Sequence, residues 1–351
     1  MLKKSKTKKK NNLFKDIWDY IVLCIKEEYK FLIVLVLLFI LFTWPVNYYI
    51  VVGGGISNID SRIKVEDGYK SKGSFNISYV TELEGKIFTY LLSYVIPSWE
   101  RESVDDYKYV ESEELDDIAF RGDLDLKSAN STAIYYAYTL ANKEIKEISR
   151  ETYVIVIFDE YKTKLKIQDQ LLGVNGTRFN SVEEYKEYIQ QFNEGDTVDV
   201  LVKRNNKEIT VKCPIYVNEG TKILGVALQT VTEYDTDPDI DIKFRGSESG
   251  PSGGLMTTLD IYNKLTKKDL TNNLDIAGTG TINTDGSIGQ IGGVNYKLLG
   301  AVNGGADVFL VPDGKNYKTC AKLKKEKKLK IKLIKVKNIE DAINKLEKLK
   351  K

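Results

Sequence analysis

The segment from Ser249 to Pro312 constrains this chain most, because tight glycine turns there alternate with short apolar runs. Gly250-Pro251-Ser252-Gly253-Gly254 is one such turn, and Leu255, Leu259, Ile261, Tyr262 and Leu265 follow it at the spacing of a packed helix. Farther on, Gly292-Gly293 opens a second helical pattern that carries Lys297 among apolar neighbours. Taken singly, a Gly-Pro-Ser-Gly-Gly turn is an ordinary helix start, and a helical lysine is ordinarily solvated. Together, a serine and a lysine at two glycine-marked helix starts point to a nucleophile and its base.

None of the 351 residues is histidine, which sharpens that reading. A Ser-His-Asp triad, a Cys-His dyad and an HExxH zinc site are all closed to this chain. Lysine is the usual alternative base for serine, provided that burial disfavours its charged form. Ser252 at a helix N-terminus would also stand beside outward-pointing N–H groups, which stabilise an oxyanion. No G-x-x-x-x-G-K-[ST] loop is present, so nothing points to ATP, and no cofactor or metal is called for. A formal net charge of +2 gives no reason to expect nucleic acid as the main ligand.

The N-terminus carries a separate signal. Residues 1–10 hold six lysines, Leu13 to Lys30 mixes apolar and charged residues at helical spacing, and Phe31 to Val52 is almost wholly apolar. A helix needs about 20 apolar residues to span a bilayer. On this reading residues 1–30 are a cytoplasmic Lys-rich tail and juxtamembrane helix, and residues 31–52 are a single transmembrane anchor. The positive-inside rule then places everything after Gly53 outside the cell. The run is long for a signal peptide, and no small-residue cleavage site follows it. The lysines serve topology and contact with anionic lipid. Cys24 would lie on the reducing side and Cys213 and Cys320 outside; with no disulfide framework in the chain, the latter two are expected to be unpaired.

Between these regions the pattern changes twice. Ile63 to Tyr69 and Gly73 to Val80 alternate as half-buried strands do, Glu84 to Tyr94 looks helical, Glu100 to Leu115 is acidic surface, and Leu124 to Ile148 has helical spacing. Then Tyr153 to Phe158 and Leu171 to Val174 read as strands, and Ser181 to Phe192 as a helix with Ser181 as N-cap and Glu184 completing a capping box. Thr197 to Val202 and Glu208 to Val211 form a hairpin around Arg204-Asn205-Asn206. The remainder, from Lys222, reads as an α/β unit that ends in a strand, Ile331 to Val336, and a helix carrying Ile339, Ala342, Ile343, Leu346 and Leu349.

The middle module resembles a PDZ domain of the circularly permuted bacterial type. The matching residues are Leu165 to Asp169, Leu171, Val174, Asn175, Gly176, Gly195-Asp196-Thr197-Val198 and Val200 to Val202. The pattern usually has Gly-Asp where this chain has Gln168-Asp169, which bears on the turn at that point. The resemblance implies binding of an extended peptide by strand addition.

The stretch after it resembles the proteolytic domain of Lon-type serine proteases, and within that group the single-pass, ATP-independent bacterial enzymes that join an anchor, a PDZ domain and a Lon-like domain. Gly250, Pro251, Ser252, Gly254, Ala277-Gly278-Thr279-Gly280, Ile282, Asp285-Gly286, Gly289, Ile291-Gly292-Gly293, Lys297, Gly305, Ala306 and Leu310-Val311-Pro312 carry the match. The resemblance implies Ser252 as nucleophile, Lys297 as general base and Thr279 as the residue whose hydroxyl helps hold that lysine. Gly253 stands where alanine is usual, and Ser249 where an acidic residue or glycine is common. Gly73 to Ile77 and the Leu124 to Asn142 helix resemble the opening parts of the same domain.

The expected fold is therefore α+β: one transmembrane helix, a Lon-like domain over residues 63–148 and 222–351, and a PDZ domain over 151–218 inserted into it. The expected protein is a membrane-anchored, extracytoplasmic serine endopeptidase acting without ATP on a secreted or membrane-linked peptide or protein. Its partners would be that substrate and the membrane, with a homo-oligomer admitted by the resemblance. The alternative is a catalytically silent, anchored PDZ scaffold that binds partner proteins.

Overall fold

The computed structural model describes residues 13–349, so the lysines of residues 1–10 lie outside the described residues. The chain divides into two compact units, one comprising the residues up to Val52 with Glu82–Val104, the other Gly53–Thr81 with Asp105–Lys351.

The first unit opens with helix α1 (Leu13–Thr43), which is interrupted by non-helical backbone at Glu28. Strand β1 (Pro45–Asn58) begins almost at once. β2 (Ser74–Lys86) enters this unit at its C-terminal end, and β3 (Glu100–Ser103) pairs antiparallel with β1, Tyr48 opposite Ser103 and Val51 opposite Glu100.

This arrangement corrects the expected membrane anchor and the localisation drawn from it. Among the described residues no helix is long and apolar enough to cross a membrane. The apolar run from Phe31 to Val52 is not one helix. A residue preceding proline is disfavoured in the α region, and α1 stops at Thr43, with Trp44 before Pro45 and the rest of the run in β1. The apolar helical part, Phe31 to Thr43, measures about 20 Å at ~1.5 Å per residue, against a hydrocarbon core of ~30 Å. Upstream, Asp16, Asp19, Lys26, Glu27, Glu28 and Lys30 bar its extension.

The second unit holds helix α2 (Leu115–Leu140) and a five-strand path that contains the expected PDZ stretch and runs beyond it at both ends. Its elements are β4 (Glu144–Ile157), β5 (Gln170–Val174), helix α3 (Val182–Ile189), β6 (Thr197–Arg204), β7 (Lys207–Pro214) and β8 (Val226–Asp237), with sheet order β8-β4-β5-β6-β7. Val154, Val174, Tyr185, Ile189, Val200 and Leu224 are in its core. Helix α2 stops short of the expected Ile148. Asn142 adopts φ 53°, which asparagine tolerates, and the chain turns there into β4. Ser181 caps α3 by accepting from the Glu184 N–H, while the Glu184 carboxylate accepts from Asn180 N–H rather than from Ser181 as a capping box requires. Gln168 takes φ 74°, the conformation a glycine would supply. The turn is held because buried Asp169 accepts from Lys166 N–H at 2.8 Å and from the Arg204 guanidinium in two 2.7 Å bonds.

The rest of the second unit comprises α4 (Gly254–Leu265), β9 (Asp275–Gly278), α5 (Val294–Asn303), β10 (Val308–Pro312), α6 (Lys315–Lys327), β11 (Lys332–Val336) and α7 (Ile339–Glu347). β9 lies parallel between β10 and β2, Ile276 opposite Val308 and Phe75, and β11 extends the sheet beyond β10. Strand alternation gives each face its own layer. Ile276, Val308 and Leu310 join Phe75, Ala133, Tyr138, Leu255, Leu259 and Ile343 in one core. Ala277, Phe309 and Val311 join Val294, Leu298 and Cys320 in the other. Residues on either side of the PDZ module thus share strand pairing and a core. Cys213 is buried in the PDZ core and Cys320 in this second one, and neither is bonded.

Candidate active site

Ser252 lies in the turn that leads into α4 and is half-buried. Its carbonyl is held by two donors, the Gly280 N–H at 2.8 Å and the Thr279 hydroxyl at 3.1 Å. Those donors are placed by the central strand, because Thr279 directly follows β9 and its N–H continues the ladder to the Leu310 carbonyl at 3.1 Å. The Gly280 carbonyl in turn accepts from Leu255 N–H at 3.0 Å. The serine is therefore pinned against the end of the sheet through its main chain, which leaves its hydroxyl free to turn elsewhere.

Lys297 stands in the first turn of α5, on the other face of the sheet. Its N–H donates to the Gly293 carbonyl, and its own carbonyl accepts from the buried Ser78 hydroxyl at 2.6 Å. The side chain is only 5% exposed. Its Nζ comes to 2.8 Å from Ser252 Oγ and 3.5 Å from Thr279 Oγ1, and Thr279 is fully buried. All three residues singled out in the sequence are thus brought together at one end of the sheet. Among the described residues, the N–H groups of Ser252 and Gly253 have no acceptor. They sit at the N-terminal end of α4, where the helix favours negative charge.

A Cβ at Gly253 would lie 2.9 Å from Ile77 Cδ1, so an alanine there requires the end of the β2 isoleucine to shift. The sequence singles out Ile77 only as part of the Gly73 to Ile77 stretch, and Ser78 not at all. Alternation along β2 marks them only as strand residues, and their partners lie far away along the chain.

Two turns along α4, Asp260 is fully buried and bound to Lys264 Nζ at 2.6 Å, while that ammonium also meets Asp60 Oδ1 at 3.1 Å. Asp260 Oδ1 and Thr257 Oγ1 have no partner among the described residues. Burial pushes the Asp260 carboxyl up from 3.8 to about 6, against the opposing pull of Lys264.

The PDZ sheet ends on β8, which pairs with β4 on one side. Val226 and Leu228 pack toward the PDZ core, while Gln229 donates to Asp125 of α2 at 2.9 Å.

Two domain profiles match parts of this chain. The sequence profile of the Lon protease (S16) C-terminal proteolytic domain matches residues 239–348, and that of the PDZ domain matches residues 147–215. The Lon protease of Desulfatibacillum aliphaticivorans is 30% identical over 131 residues, which cover 35% of this chain and 16% of that protein. The Lon protease of Clostridioides difficile (strain 630) is 29% identical over 185 residues, covering 50% of this chain and 22% of that protein. The chain therefore spans less than a quarter of the length of either relative. Among solved structures, the PDZ domain of the SdrC-like protein from Listeria monocytogenes is 26% identical, covering 22% of this chain and 85% of that chain with a TM-score of 0.21. A Lon-type C-terminal proteolytic domain and a PDZ domain are thus both found in this chain, and the Lon likeness supports a serine protease function.

Proposed function

We propose that this chain is a serine endopeptidase in which Ser252 is the nucleophile, Lys297 the general base and Thr279 the residue that orients the lysine, and that it cleaves peptide or protein substrates without ATP. The observation that carries this reading is the 2.8 Å approach of Lys297 Nζ to Ser252 Oγ by a lysine only 5% exposed. An ammonium has three donors and no acceptor, so a lysine base must be neutral, which burial favours.

Neutral Lys297 Nζ takes the hydroxyl proton as Ser252 Oγ attacks the scissile carbonyl carbon. The oxygen of that carbonyl becomes the oxyanion, and the uncommitted N–H groups of Ser252 and Gly253 are its donors. The Lys297 ammonium then returns the proton to the leaving amine as the C–N bond breaks, leaving an ester on Ser252. Water, deprotonated by the again neutral Lys297 Nζ, attacks the ester, and Nζ passes the proton back to Ser252 Oγ as the acid departs. Thr279 suits its role because its single proton goes to the Ser252 carbonyl, leaving a lone pair toward Nζ.

The PDZ module lies between the two parts of the proteolytic domain, over residues 151–218, and binds an extended segment of the substrate by strand addition. The pairing of β9 with β2 across that insertion supports this division. Digestion of an unfolded protein in the absence of nucleotide tests the proposal. Wild type is expected to cleave, and Ser252→Ala and Lys297→Ala to lose about 10³-fold or more. Equal cleavage by the variants, or none by wild type, rejects the endopeptidase and favours a PDZ protein that only binds.

A further inference from the structure

The turn that presents Ser252 is held from its N-terminal side by a residue in a distant helix. Gly122 stands inside α2, where glycine disfavours the helix relative to alanine, so helix formation gives no reason for it. Its carbonyl accepts the Gly250 N–H at 2.8 Å. A Cβ at position 122 would come within 3.3 Å of Ser249 Cβ and 3.6 Å of Ser249 Oγ. Carbon atoms in good contact stand about 3.5–4.0 Å apart, so a methyl group there would push the turn outward. Neighbouring side chains of α2 hold the helix here. Arg121, 6% exposed, pairs with buried Glu113, donates to the Tyr107 carbonyl and stacks at 3.9 Å on the Tyr109 ring. One turn on, Asp125 accepts from Gln229 of β8 at 2.9 Å.

We propose that Gly122 is a positioning residue for Ser252, the bare helix surface against which the Gly250-Pro251 turn docks. The turn is thereby clamped from both ends: Gly122 grips Gly250, and Thr279 with Gly280 grips the Ser252 carbonyl. The same helix reaches the PDZ edge strand through Asp125, so the geometry of the nucleophile depends on an element that the PDZ module also holds. This inference rests on the reading of Ser252 as nucleophile.

Kinetics on a peptide ester too short to reach the PDZ module, together with thermal unfolding, test it on the full chain. Gly122→Ala is expected to lower kcat about tenfold with KM little changed, because small displacements of reacting groups act on the chemical step. Its Tm should hold or rise, since alanine is the better helix former. A loss of activity through misfolding would lower Tm instead. Adding Ser249→Gly, which removes the contacted side chain, should restore kcat to within about twofold. An active wild type whose kcat is unchanged by Gly122→Ala, or a double variant no better than the single, overturns this inference alone. A wild type without Ser252-dependent hydrolysis overturns it together with the assignment of the nucleophile.

Discussion

Lys297 and Asp260 show two ways of burying a charge-bearing side chain in the same unit. Lys297 faces two hydroxyls, Ser252 Oγ and Thr279 Oγ1, at the end of the sheet. Asp260 faces a lysine through one oxygen and leaves the other without a partner among the described residues. Burial dominates at Asp260 and raises its carboxyl to about 6, so the folded state holds that proton more tightly than the unfolded chain does. The sign follows: this group stabilises the fold below its unfolded value of 3.8, and that contribution is lost as pH rises toward about 6. The magnitude is about 2 to 3 kcal/mol. Chemical denaturation between those pH values should show stability falling with pH in wild type and a flatter dependence in Asp260→Asn. The same slope in both proteins would remove Asp260 as its source. Ser252 and Lys297 are singled out in the sequence by the glycine turns beside them, and Thr279 by the resemblance alone. Gly122, Ser78 and Asp260 are not, since nothing near them in sequence reports the partners that give them their roles.

Elements with a local cause for their boundaries were the legible ones. Helix α3 starts where Ser181 caps it, β6 and β7 turn at Asn205-Asn206, and α7 is read from its apolar face. The errors arose where one apolar pattern served two structures. Phe31 to Val52 is apolar throughout, yet Pro45 divides it into the end of a helix and the start of a strand, and hydropathy alone does not see that break. Leu124 to Ile148 failed the same way: helical spacing ran on past Leu140, and only the left-handed Asn142 marks the change to β4. Gln168 is the opposite case, an unfavourable residue in a turn that survives because Asp169 and Arg204 fix it from the next residue.

Across the whole molecule, residues on either side of the PDZ module share a core and a sheet, as the proposed two-part proteolytic domain requires. Phe75, Ala133 and Tyr138 lie in one core with Leu255, Leu259 and Ile276, and β2 supplies the strand beside β9. A fragment of residues 222–351 would expose that face of the sheet and leave β9 unpaired on one side. It is expected to unfold without a cooperative transition and to cleave nothing. A sigmoidal melt with peptide cleavage by the fragment would show that residues before the PDZ module are dispensable. The discontinuity was visible in the sequence only as a weak likeness of Gly73 to Ile77 and the Leu124 helix to parts that belong beside Ser252. The pairing of β9 with β2 supports the proposed discontinuity.

In the proposed mechanism Lys297 activates Ser252 for acyl transfer. This step is tested most directly by acid-quenching the full chain during turnover of a slow peptide ester and locating the acyl group by peptide mass spectrometry. Wild type is predicted to carry the acyl group on Ser252, with Lys297→Met unlabelled on the same timescale. No adduct, an adduct on another residue, or equal labelling of Lys297→Met would contradict the account.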